Sequence, residues 1–210
     1  MQDFSLARRA MVDSQLRPEA VTDRGVLAAM ASVERERFVP ESARALAYFD
    51  RPLRLSGDRA MMPPAAIGRL LSELAPRAGE RALVVGSGTG YAAALLKAIG
   101  LDVVALESDE TLARTARDAG VDTVIGDLAA GWGKGAPFDI ILLDGAVEEV
   151  PDVLVKQLSP SGRIAGAIVD RGVTRLVVGR VAGGSLGLRS LADADVATLP
   201  GFSRPRAFTF

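Results

Sequence analysis

The nine residues Leu83-Val84-Val85-Gly86-Ser87-Gly88-Thr89-Gly90-Tyr91 constrain this chain more than any other stretch. A short apolar run leads straight into three glycines at alternate positions and then into the start of a helix. Glycine reaches conformations and approach distances closed to residues that carry a side chain. At the carboxyl end of a strand, such a loop lets a ligand lie directly against backbone. A tight strand-to-helix turn would also want glycine, so the loop alone decides little. Glu107 decides more: it lies twenty-one residues after Gly86, at the end of the next apolar run. An acid at that distance accepts hydrogen bonds from both ribose hydroxyls of a nucleoside.

Around this loop the apolar residues come in short continuous runs separated by helical segments. Runs at Ala82–Val85, Val103–Leu106, Val121–Ile125, Ile140–Leu143 and Arg163–Val169 alternate with helices over 91–99, 109–118 and 150–158. That alternation predicts a parallel sheet covered on both faces, an α/β doubly wound fold. Arg175–Val181 and Leu186–Leu191, joined by Gly183-Gly184, predict a hairpin, and Ala207–Phe210 a last strand. The first 75 residues read as a helical extension ahead of a core over 76–210. Thr22 is expected to cap a helix carrying Val26, Leu27, Met30 and Val33. Pro63 and Pro64 suit the first turn of another, with Ile67, Leu70, Leu71 and Leu74 as its stripe.

Composition narrows the chemistry. The 210 residues, enough for a single domain, contain no cysteine and no histidine. Disulfides, Cys/His zinc sites, thiol nucleophiles and Ser-His triads are therefore excluded. The net charge of −1 speaks against a strongly basic nucleic-acid binder. No apolar run is long enough for a membrane span, and the start lacks a basic segment followed by an apolar one. The cytoplasm is the expected location; oligomeric state stays open.

The loop is not a phosphate loop, since no Gly-x-x-x-x-Gly-Lys-[Ser/Thr] occurs. It also departs from the dinucleotide fingerprint, because Gly90 follows Gly88 by two positions rather than three. A nucleoside without pyrophosphate fits better, and S-adenosyl-L-methionine is the expected cofactor. Gly86, Ser87, Gly88, Gly90 and Tyr91 would take its amino-acid tail, and Glu107 with Ser108 its ribose. Asp127 would accept from the adenine amine while Leu128 packs on the ring. Asp144, ending the fourth run at the same sheet edge, would stand beside the reacting end.

Residues well beyond the loop resemble one family. Met11-Val12 with Gln15-Leu16, Arg37-Phe38-Val39-Pro40, Ala47-Tyr48-Phe49-Asp50, Gly126-Asp127 with Gly131-Trp132, Ala136-Pro137-Phe138-Asp139 and Gln157-Leu158 are similar to the protein-L-isoaspartate O-methyltransferases. The resemblance covers nearly the whole chain. It implies a Rossmann-like S-adenosylmethionine-dependent methyltransferase fold, with a mostly parallel seven-stranded sheet and an N-terminal helical extension. It also implies methyl transfer to the side-chain carboxylate of a damaged aspartyl residue, hence a protein or peptide substrate. The family's substrate loop usually reads Gly-x-Thr-Ile-Ser-x-Pro; here it reads Gly57-Asp58-Arg59-Ala60-Met61-Met62-Pro63. Arg59 replaces the threonine and Met61 the serine. The ending Leu199-Pro200-Gly201-Phe202 also differs from the usual repair enzyme.

A carboxylate acceptor ionises near pH 4 and needs no general base, so the lack of histidine costs this reaction nothing. Arg59 is a candidate clamp for a substrate carboxylate, and Met61 and Met62 would make the pocket lip apolar. Asp144 is the one candidate base at the site. Two other readings stay open: a methyltransferase for another acceptor, either a small molecule or a modified nucleic acid, and a non-catalytic cofactor-binding homologue.

Overall fold

The computed structural model describes residues 3–203; the strand expected at Ala207–Phe210 lies outside them. Helix α1 (Phe4–Met11) runs into a wider turn over Val12–Leu16, followed by α2 (Arg24–Ser32). A small hairpin, β1 (Leu53–Arg54) with β2 (Ala60–Met61), precedes α3 (Pro64–Leu74). Then come β3 (Arg81–Val85), α4 (Tyr91–Ile99), β4 (Asp102–Glu107), α5 (Glu110–Asp118) and β5 (Thr123–Ile125). The chain continues as β6 (Phe138–Val147), α6 (Asp152–Val155), β7 (Leu158–Asp170), β8 (Val173–Ala182) and β9 (Ser185–Asp193).

The last seven strands form one sheet in the order β5-β4-β3-β6-β7-β8-β9. The first five in that order are parallel, and β8 and β9 return antiparallel as the predicted hairpin. Strand order therefore reverses between β3 and β6, and the carboxyl ends of those two strands open the sheet's natural crevice. At the margins, β5 is three residues long, while β9 exposes most of its length and carries the Arg189–Glu73 ion pair.

Apolar layers on the two sheet faces fix this arrangement. On one, Val84, Ile140, Leu142 and Ala165 pack with Met11, Leu16, Met30, Ile67 and Leu70, so the N-terminal helices share the sheet's own core. On the other, Leu83, Val85, Leu106, Phe138 and Ile141 pack with Leu128, Leu154, Leu199 and Phe202. Burying one such Leu or Phe side chain contributes about 1.5–3 kcal/mol, so these layers dominate the fold's stabilisation.

Three local expectations need correction. The cap of α2 is Asp23, whose Oδ1 accepts from Val26 N–H at 2.9 Å, rather than Thr22. The helix expected over 150–158 is one turn, Asp152–Val155, because Leu158 already pairs with Phe138 as β7 begins. Strand β6 runs past Leu143 to Val147, bulging over Asp144-Gly145 where its register against β7 shifts. Among the described residues, no helix is long and apolar enough to cross a membrane.

Candidate functional site

The glycine loop sits at the crevice between β3 and β6. Gly86, Gly88 and Gly90 have φ of 72°, 55° and 96°, conformations that only glycine adopts freely. Two amides of the loop, Gly86 N–H and Ser87 N–H, donate to the Leu106 carbonyl and tie it to β4. The glycines are bare for different reasons. A Cβ on Gly90 would stand 3.0 Å from Val121 Cβ, so this position serves helix packing. On Gly88 it would stand 3.1 Å from Leu55 of the β1–β2 hairpin, and on Gly86 2.5 Å from Leu199 Cδ2.

Glu107 ends β4 as expected and points into the crevice, wholly buried. Its carboxylate accepts from three backbone amides: Gly88 at 2.7 Å, Ser108 at 2.7 Å and Asp109 at 3.1 Å. The remaining approach is taken by Arg59. Its Nη1 donates to Glu107 Oε1 at 2.7 Å, and its Nη2 to Oε2 at 2.9 Å. Nη2 also donates to the Gly86 carbonyl at 2.9 Å. This is a two-pronged guanidinium–carboxylate pair, with Arg59 only 11% exposed. Arg59 does not stand at the mouth as a free clamp; it lies on the acid expected to hold a ribose.

A second protein group enters from the C-terminal side. Ala197–Leu199 runs alongside the end of β6, with Ala146 N–H donating to Ala197 O at 2.8 Å and Leu199 N–H to Ala146 O at 2.7 Å. The stretch thus continues the sheet, as a parallel bridge at Thr198, beyond the point where β3 has ended. Leu199 drops between the two bare backbones of Gly86 and Gly145; a Cβ on Gly145 would meet it at 2.6 Å. Leu128, expected under adenine, is buried in one apolar cluster with Leu199 and Phe202.

The space left among Leu55, Arg59, Met61, Ser87, Tyr91 and Asp144 is about 10 Å³. That is at the lower edge of what admits one water, against ~300 Å³ or more for a drug-sized ligand. The Ser87 hydroxyl, buried beside it, has no hydrogen-bond partner.

The other expected residues divide. Asp144 lines this cavity from the β6 bulge. Withdrawal from water pushes its carboxyl up to about 7, against the downward pull of Arg59 and Arg35. Tyr91 is buried in the cavity wall, its hydroxyl raised by burial, with the Arg35 guanidinium 4.7 Å above its ring. Ser108 is exposed and helps cradle Glu107 through its backbone. Asp127 is exposed, and its Oδ1 accepts from Ala129 N–H at 2.9 Å. Asp58 is exposed at the hairpin turn. Met61 and Met62 do not form an open lip; both are buried in the helical-side core, 6% and 2% exposed.

Sequence reasoning missed two parts of the site. Leu199 and Phe202 flank Pro200-Gly201, and apolar residues around a tight turn were the available sign that this segment docks. Arg35 is fully buried, donating to the Ala47 carbonyl at 2.7 Å and the Met62 carbonyl at 2.6 Å, and thereby ties the hairpin's exit to the N-terminal helices.

The crevice thus holds a bare loop, a buried acid and backbone amides directed at it. Arg59 and Leu199 fill most of the space beside them. A family model described as protein-L-isoaspartate(D-aspartate) O-methyltransferase matches residues 7–180. A protein-L-isoaspartate O-methyltransferase of Methylorubrum extorquens is 40% identical over 168 residues, 77% of this chain and 74% of the relative. One from Koribacter versatilis is 34% identical over 205 residues, 94% and 92% of the two chains. A solved protein-L-isoaspartate O-methyltransferase superposes with a TM-score of 0.81 at 23% identity, covering 92% of this chain and 66% of that one. A β-aspartate methyltransferase structure from Plasmodium falciparum, solved with S-adenosyl-L-homocysteine, superposes with a TM-score of 0.78 at 19% identity, covering 95% and 99%. These two structures bear on the fold, and the sequence matches decide the family. The chain belongs to the protein-L-isoaspartate O-methyltransferase family, whose methyl donor is S-adenosylmethionine.

Proposed function

We propose that this chain transfers a methyl group from S-adenosylmethionine to a free carboxylate of a peptide or protein, its relatives being named protein-L-isoaspartate O-methyltransferases. The observation that carries the reading is the Gly88 N–H to Glu107 contact of 2.7 Å, a bare loop and a buried acid locked together at the point where strand order reverses. When bound, the donor supplies an electrophilic methyl group on a sulfonium.

The chain's own residues do the rest. Glu107 holds its orientation through three backbone amides, so it is preorganised to accept from ribose hydroxyls. The glycine loop presents backbone rather than side chains to the donor's tail. Asp144 stands at the β6 bulge on the same cavity, where its carboxyl, once ionised, favours a cationic sulfur. Arg59 carries the one guanidinium on that cavity among the described residues, and it suits an acceptor carboxylate. The acceptor is already ionised, so alignment is the main demand, and alignment can supply as much as ~7–11 kcal/mol.

The test is a tritiated-methyl transfer assay on an isoaspartyl peptide. Base-labile methyl ester above the aspartyl-peptide background is expected; none would reject methylation of isoaspartyl carboxylates. A second reading, a non-catalytic member of the family that binds no donor either, is favoured by the filled crevice. It predicts that neither S-adenosylmethionine nor S-adenosylhomocysteine binds, whatever is done to Arg59 or Leu199.

A further inference from the structure

We propose that Arg59 is a carboxylate-exchange latch: it closes the donor crevice by pairing with Glu107, and it opens it by moving to the acceptor's carboxylate, so that donor and acceptor promote each other's binding. The proposal rests on the carboxylate-methylation reading.

Three observations carry it. First, Arg59 occupies the Glu107 carboxylate, which the proposed function gives to the donor's ribose. Both of its terminal nitrogens lie within 2.9 Å of Glu107, and a nucleoside cannot take that acid while they remain. Second, the latch sits on a hairpin whose turn is exposed. Arg59 closes a tight hairpin, with Leu55 N–H donating to Arg59 O and Arg59 N–H to Ser56 O, each at 2.9 Å. Gly57 and Asp58 at its turn are exposed, and a Cβ on Gly57 would meet nothing within 4 Å. Leu55, on the same hairpin, covers Gly88, so one displacement of the hairpin uncovers both the acid and the loop. Third, Glu107 keeps three backbone donors after Arg59 leaves, whereas the departing guanidinium gives up both Glu107 and the Gly86 carbonyl. A buried or half-buried guanidinium demands a new anion. The acceptor brings one, in the geometry that the planar fork prefers.

Leu199 is the second half of the closure. It fills the space between Gly86 and Gly145 that a donor's tail would need. It belongs to the strap at Ala197–Leu199 rather than to the hairpin, so its removal tests the closure independently of Arg59.

By linkage, if the acceptor tightens the donor, the donor tightens the acceptor by the same factor. The experiment is calorimetric titration of S-adenosylhomocysteine into the full chain and into R59A, L199A and R59A/L199A, with and without a saturating isoaspartyl peptide. Far-ultraviolet dichroism verifies folding, and thermal melts with and without S-adenosylhomocysteine provide a second readout. Expected are a dissociation constant at least tenfold lower in R59A or L199A than in the native chain, and a tightening by the peptide in the native chain that is lost in R59A. If the native chain binds micromolar S-adenosylhomocysteine and R59A binds it no better, the latch is overturned while the methyltransferase reading stands. If the variants bind more tightly but the peptide changes nothing in the native chain, the exchange is wrong. If no folded variant binds, latch and methyltransferase reading fall together.

Discussion

At the scale of single residues, charge withdrawn from water governs this molecule. Asp144 ordinarily ionises near 3.8, and burial raises it to about 7. The folded chain therefore holds a proton there that the unfolded chain has lost, and stability falls as pH climbs between those values. At ~1.36 kcal/mol per pH unit the loss is at most about 4 kcal/mol. Asp144→Asn should flatten that decline, which urea unfolding at pH 4.5 and pH 7.5 will measure; an unchanged slope would refute it. Arg35→Met leaves the Ala47 and Met62 carbonyls without their buried donor and should cost about 3 kcal/mol in the same measurement. Sequence alone placed Glu107 at the end of its strand, because that place follows from the apolar run that carries it. It did not show that Arg59 lies on Glu107, since the two are 48 residues apart and their meeting depends on where the hairpin folds.

At the scale of elements, the core units were legible and the connections less so. Helix α4 appears at its expected limits, Tyr91–Ile99, because glycines at both ends stop it and its apolar content admits no other structure. Residues 150–158 have helical composition as well, but β7 recruits Leu158 and leaves one turn. Nothing local in Val153-Leu154-Val155 announces that competition. The bulge at Asp144-Gly145 was likewise invisible, since it is set by pairing with β7 and by the strap at Ala197–Leu199. The caps can be checked directly. Asp109 accepts from Thr111 and Leu112 amides at 2.7 and 3.1 Å. Asp109→Ala should lower stability by about 1 kcal/mol. Calorimetry reads it as a lower melting temperature, and no change would mean that the cap contributes nothing.

At the scale of the whole molecule, the N-terminal helices and the sheet share one apolar layer, from Met11 and Leu16 through Leu70 to Val84 and Leu142. We expect one cooperative melting transition rather than two, with equal calorimetric and van't Hoff enthalpies. Two transitions would mean that the extension folds by itself. Among the described residues the sheet ends in two rims, and they are guarded unequally. Strand β5 is too short to act as a template, but β9 offers nine residues of backbone along its outer side. The cation of Arg189, tethered to Glu73, works against pairing of this rim with a neighbouring copy. Arg189→Val would turn that rim into a seed for fibrils, read as a shorter lag in thioflavin fluorescence on gentle heating.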